Sequence, residues 1–163
     1  METLALRNMP EWWRAKVDIR IRKARAADLE QILGVYREAG LETRGSLSLQ
    51  TAYGVLEKMS SYPSYNLYVA EVDGKICGTF ALLIMDNLAN GGAPSGVVED
   101  VAVPRASQGQ GIGKAMMRVA MDTCRRNGCY KLTLSSNEIR TEAHRFYEAL
   151  GFTRHGFSYR VGL

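Results

Sequence analysis

Three groups of residues have the types and spacing to do chemistry. Gly109, Gly111 and Gly113 stand in the run from Gln108 to Lys114, between an apolar stretch ending in Val101-Ala102-Val103-Pro104 and a helical pattern of Ala115, Met116, Val119 and Ala120. Glycine lets the backbone bend tightly and approach a ligand, and the unpaired N–H groups at a helix start favour an anion. This order of strand, glycine turn and helix predicts a phosphate-bearing ligand. Just before it, Glu99 and Asp100 interrupt the Val-rich run. Desolvation in an apolar strand pushes a carboxylate toward the range of a general base at neutral pH. Strict alternation would send the two to opposite faces, so only one is expected to face a substrate. Tyr147 shares a helical face with Phe146 and Leu150. Its ordinary pKa of about 10 keeps the phenol protonated at pH 7, which suits a proton donor.

Spacing excludes two familiar phosphate loops. A dinucleotide fingerprint starting at Gly109 requires glycine where Lys114 stands, and a Walker A loop ending at Gly113-Lys114 requires glycine at Gln108 and Ser or Thr at Ala115. Cysteines Cys77, Cys124 and Cys129 are odd in number, without CxxC spacing, and only His144 and His155 could join them. Reduced, interior cysteines are expected, with no metal site, no disulfide framework and no thiol nucleophile.

The elements that must position these residues are legible as patterns. Val17 to Lys23 alternates as a first strand, and Ala27 to Ala39 carries Leu29, Ile32, Leu33 and Tyr36 on one helical face. Ser48 precedes a second helix bearing Ala52, Val55, Leu56 and Met59. Asp73-Gly74 joins strands Leu67 to Val72 and Lys75 to Met85 in a hairpin. The glycine-rich connection from Asp86 to Ser95 leads into the central strand. The helix after the glycine turn runs to about Arg126, closed by Asn127-Gly128. Lys131 to Ser135 is a short strand, Thr141 is expected to cap the last helix, and Phe152 to Val161 alternates as a final strand or hairpin.

The chain has 163 residues, of which 46% are hydrophobic and 23% charged. That predicts one globular domain over 17–163 preceded by an arm, 1–16, holding Trp12 and Trp13. No signal peptide or membrane-length apolar run is read, so a cytoplasmic protein is expected. The net charge of +4 is modest and its basic residues are scattered, apart from Arg14 to Arg25, read as a strand face. Nucleic acid is therefore not expected as a partner.

The pattern Gln-x-x-Gly-x-Gly, at Gln108, Gly111 and Gly113, is followed by Phe-Tyr-Glu-x-x-Gly-Phe, from Phe146 to Phe152. Together these motifs resemble the GCN5-related N-acetyltransferase (GNAT) family, over roughly Val17 to Phe157. The resemblance implies an α/β (α+β) fold: a mixed, mostly antiparallel sheet of six or seven strands, splayed at its centre and flanked by about four helices. It implies acetyl-CoA as cosubstrate, its pantetheine arm paired with the backbone of Val101, Ala102 and Val103. Its pyrophosphate would lie on the N–H groups of Gly109, Gln110, Gly111, Ile112, Gly113 and Lys114. Tyr147 would face the cofactor sulfur, and Glu99 would take the proton of the amine, with Asp100 as its rival.

Two positions depart from the family pattern. Many members carry an Asn seven residues before the helix tyrosine to anchor pantetheine; here Arg140 stands there, and Asn137, further back, is the candidate anchor. Leu132 replaces a glutamate common in relatives that acetylate protein N-termini. The reading is thus direct acetyl transfer to a primary amine, most simply a small molecule. A protein lysine or N-terminal acetyltransferase and a noncatalytic acyl-CoA sensor are the alternatives. A homodimer is an expectation from similar proteins.

Overall fold

The computed structural model describes residues 18–42 and 45–162. The predicted N-terminal arm, and Val17 with it, lies outside the described residues. One sheet is built from β1 (Arg20–Lys23), β2 (Tyr65–Val72), β3 (Lys75–Met85), β4 (Ser95–Ala102) and β5 (Lys131–Leu134), hydrogen-bonded in that order. The first four strands run antiparallel, and β5 lies parallel to β4. Four helices flank it: α1 (Leu29–Glu38), α2 (Leu49–Ser61), α3 (Ile112–Arg126) and α4 (Thr141–Ala149).

Local chemistry sets these limits. Asp73 and Gly74 both adopt positive φ, 49° and 77°, the conformation that turns a two-residue hairpin with the twist of its strands. Ser48 Oγ accepts from the Thr51 N–H at 3.1 Å and starts α2. Thr141 does not cap α4. Arg140 occupies the cap position without a side-chain bond, and Thr141 is the first helical residue.

The sheet buries both faces. Along β2, Tyr68 and Ala70 point to the α3 side, where they meet Phe80, Leu82, Ile112, Met116 and Ala120. Leu67 and Val69 point the other way, into a cluster with Ile32 and Val35 of α1. Period-two alternation in a two-sided sheet requires this division. At the β1 end, the Arg22 guanidinium binds both Asp28 oxygens at 2.6 and 2.9 Å and reaches Glu71 at 2.7 Å. Asp28 also accepts from the Arg25 N–H at 2.7 Å.

The mixed, mostly antiparallel sheet and the four helices match the expectation; six or seven strands do not, since five form among the described residues. The difference is Phe152 to Val161. It stays outside any ladder, with Phe157, Tyr159 and Val161 89%, 90% and 80% exposed. Alternation says which face a strand would bury, and pairing needs a neighbour as well.

Candidate active site

The site begins with a break in β4. Two steps along β3, from Thr79 to Ala81, are opposed by three along β4, from Glu99 to Ala102. The extra residue is accommodated at Asp100, whose φ of 52° lies in the left-handed region. This is a β-bulge, and it changes which side each residue faces. Val98 belongs to the α3-side cluster while Ala102, four residues on, belongs to the α1-side cluster, which strict alternation forbids. The predicted opposition of Glu99 and Asp100 is therefore overturned. Both carboxylates line one cleft, and both act on Tyr65, with Asp100 also acting on Tyr36 of α1.

The same stretch is where the sheet parts. Pairing with β3 continues to Ala102, whereas pairing with β5 stops at Val98 opposite Leu134. Beyond that point the β5-facing edge of β4 has no strand beside it among the described residues. The opening is a cleft of about 160 Å³ lined by Leu41, Glu99, Asp100 and Val101 on one side and Ser135, Ser136, Arg140 and Tyr147 on the other. A wider, open depression of about 480 Å³ beside α2, lined by Arg25, Tyr53 and Glu57 among others, holds none of these groups.

At the far end of β4, Gln108 Nε2 donates to the Val103 carbonyl at 3.0 Å and ties the loop back to the strand. Gln110 Nε2 does the same to the Ala106 carbonyl at 3.1 Å. Gly109 and Gly111 take φ of 76° and 85°, and α3 starts with no side-chain cap. Its first intrahelical bond across the turn is Ala115 N–H to the Gly111 carbonyl, 3.0 Å. The N–H groups from Gly109 to Lys114 face no acceptor among the described residues. Gly113 has a different reason to be glycine: a Cβ there would sit 3.0 Å from Phe146 Cζ, where α4 packs against the start of α3. The side chain of Ile112 is 1% exposed and belongs to the core, and Lys114 is exposed.

The structure thus brings Glu99, Val101 and Tyr147 together, with Ala102, Val103 and the loop continuing the same path. Asn137 is not part of the cleft wall. Its Oδ1 accepts from the Ile139 N–H at 3.1 Å, forming the turn before α4. Sequence reasoning missed Ser135 and Ser136, which bear no motif.

Electrostatics separate the two sides. Glu99 is exposed at the cleft rather than enclosed in its strand; partial burial and the neighbouring Asp100 charge still raise its pKa. Burial pushes Tyr36 up to about 12, aided by Asp100. Burial also raises the Tyr147 phenol, against the Arg140 charge, which lowers it. Neither Glu99 nor Asp100 has an ion-pair partner among the described residues. No group of three or more His, Cys, Asp or Glu suited to a metal ion occurs among them either.

The chain as a whole is matched by known proteins. The acetyltransferase (GNAT) family model covers residues 28–152, and the chain belongs to this family. Its activity is that of an N-acetyltransferase. It is 30% identical over 154 residues to glucosamine 6-phosphate N-acetyltransferase of Trypanosoma brucei brucei, a match covering 90% of this chain and 97% of that one. A putative acetyltransferase from Agrobacterium tumefaciens has a similar structure, with a TM-score of 0.82 at 30% identity over 88% of this chain and 99% of the other. Glucosamine-6-phosphate N-acetyltransferase from Arabidopsis thaliana gives 0.77 at 27% identity, over 88% and 97%.

Proposed function

We propose that the protein transfers the acetyl group of acetyl-CoA directly to the primary amine of a small molecule, with Glu99 as proton acceptor and Tyr147 as proton donor. The observation that carries this reading is one continuous path. The unpaired edge of β4 runs from the carboxylates past Tyr147 to N–H groups that lack acceptors. Those groups, from Gly109 to Lys114, suit a pyrophosphate, and the edge at Val101 to Val103 suits the amides of a pantetheine arm. Gln108 braces the loop through its bond to Val103. Acetyl-CoA supplies the activated acyl thioester.

The chain's residues do the rest. Glu99 and Asp100 draw the ammonium form of the acceptor, and Glu99 takes its proton. A backbone N–H of the open edge, that of Val101, steadies the carbonyl oxygen as it gains charge. Tyr147 gives its proton to the departing sulfur. The names of the relatives make glucosamine 6-phosphate the first acceptor to assay.

A thiol-release assay with acetyl-CoA across amino sugars and their phosphates, amino acids, polyamines and peptides tests the reading. Amine-dependent release with a small molecule is expected. Release with peptides alone would favour a protein-modifying enzyme, and saturable acetyl-CoA binding without release would favour a sensor. Tyr147→Phe should lower kcat by about 100-fold while leaving acetyl-CoA affinity unchanged.

A further inference from the structure

Tyr147 sits among aromatic rings, edge-on to Phe146 at 5.1 Å and to Phe152 at 5.7 Å. Neither ring can hold the negative charge that a phenol acquires when it gives up its proton. The wall of the cleft around it supplies two groups that can. Arg140 lies two helical turns before Tyr147, at the cap of α4, and lines the same cleft. Ser136, just past the end of β5, also lines it, and its Oγ is shielded from solvent with no hydrogen-bond partner. A buried hydroxyl without a partner is costly, and a ligand atom would satisfy it. One side of the cleft thus offers a phenol, a guanidinium and an orphaned hydroxyl, facing the carboxylates on β4.

We propose that Arg140 is a positioning residue for acetyl transfer, the cation that lets Tyr147 release its proton to the leaving thiolate, and that Ser136 donates a second hydrogen bond to that sulfur. This rests on the reading of Tyr147 as proton donor. Glu99 first passes the ammonium proton to solvent; as the C–N bond then forms and the C–S bond breaks, sulfur keeps the electron pair and takes the Tyr147 proton, while Glu99 holds the second proton lost by nitrogen. The phenolate is left beside the Arg140 charge; solvent returns its proton and removes the one on Glu99. Amide and thiol are the net products.

Burial alone opposes the phenolate, and Arg140 is the charge that works against burial. The other charged groups around the phenol are Glu99 and Asp100 from β4. On α4, His144 is held by Nε2 at 2.9 Å from the Asn137 carbonyl, while Arg145 and Glu148 are exposed, the latter paired with Arg154.

Arg140→Met, Arg140→Lys and Ser136→Ala are compared with the parent and with Tyr147→Phe. In Arg140→Met, kcat at neutral pH should fall about tenfold with the KM for acetyl-CoA little changed, and Arg140→Lys should recover most of the loss. The alkaline limb of kcat should move to higher pH. So should the tyrosinate absorbance assigned to Tyr147 by difference from Tyr147→Phe, a readout that needs no turnover. Ser136→Ala should cost about fivefold in kcat. Arg140→Met should add nothing once Tyr147 is Phe. A raised KM with an unmoved pH profile, or an equal loss in both backgrounds, overturns the role of Arg140 while leaving the donor intact. Full activity of Tyr147→Phe would remove the donor itself, and this inference with it.

Discussion

Two carboxylate pairs mark opposite regions of the sheet. Near β1, Asp28 and Glu71 share the Arg22 guanidinium, and Asp28 takes a further bond from the Arg25 N–H. The hydrogen bonds to Arg22 hold the Asp28 carboxyl below its ordinary range, although burial works the other way. In the cleft, Glu99 and Asp100 stand side by side with no ion-pair partner among the described residues, Arg140 lying on the opposite wall; one of them is on a strained residue of a bulge, and the Glu99 pKa goes up. The first pair is finished within the fold. The second is incomplete until something cationic arrives, which is the condition of a group kept for chemistry.

The comparison predicts that removing charge has opposite consequences in the two places. Glu99→Gln should lower kcat by about 100-fold or more in the thiol-release assay without lowering the melting temperature. The sign follows from linkage. A raised carboxyl pKa means the folded state holds protons more tightly, so its ionisation costs stability as pH climbs from the ordinary range through the raised value. A neutral amide removes that cost. Asp28→Asn should do the reverse, losing about 2 kcal/mol in urea denaturation with kcat unchanged. Because the Asp28 pKa is depressed, its contribution is present above the ordinary aspartate range and disappears as pH falls through the lowered value. The smallest effect belongs to Asp100→Asn. Asn tolerates positive φ, so the bulge should persist. The acidic limb of activity should move to lower pH as Glu99 loses its neighbour's charge, and KM for the amine should rise by about threefold.

Most of what positions the site was legible in the residues. The glycine turn, the helix behind it, the Asp73-Gly74 hairpin and the aromatic face of α4 each follow from local chemistry. The bulge did not. Val97 to Val103 reads as a Val-rich run broken by its two acids, and only the ladder with β3 shows that three steps along it oppose two. That one extra residue decides where both carboxylates point. Ser135 and Ser136 were silent for another reason, since small polar residues at a strand end carry no periodic signal. Phe152 to Val161 was over-read: its alternation is real, but no ladder holds it.

The most direct test of the account is the rate of acetyl transfer by Glu99→Gln beside the parent enzyme, at saturating acetyl-CoA and across pH. An unpaired carboxylate acting as base predicts a variant that folds, binds acetyl-CoA as the parent does and turns over at least about 100-fold more slowly at neutral pH. Parent-like turnover with a parent-like pH profile would contradict it.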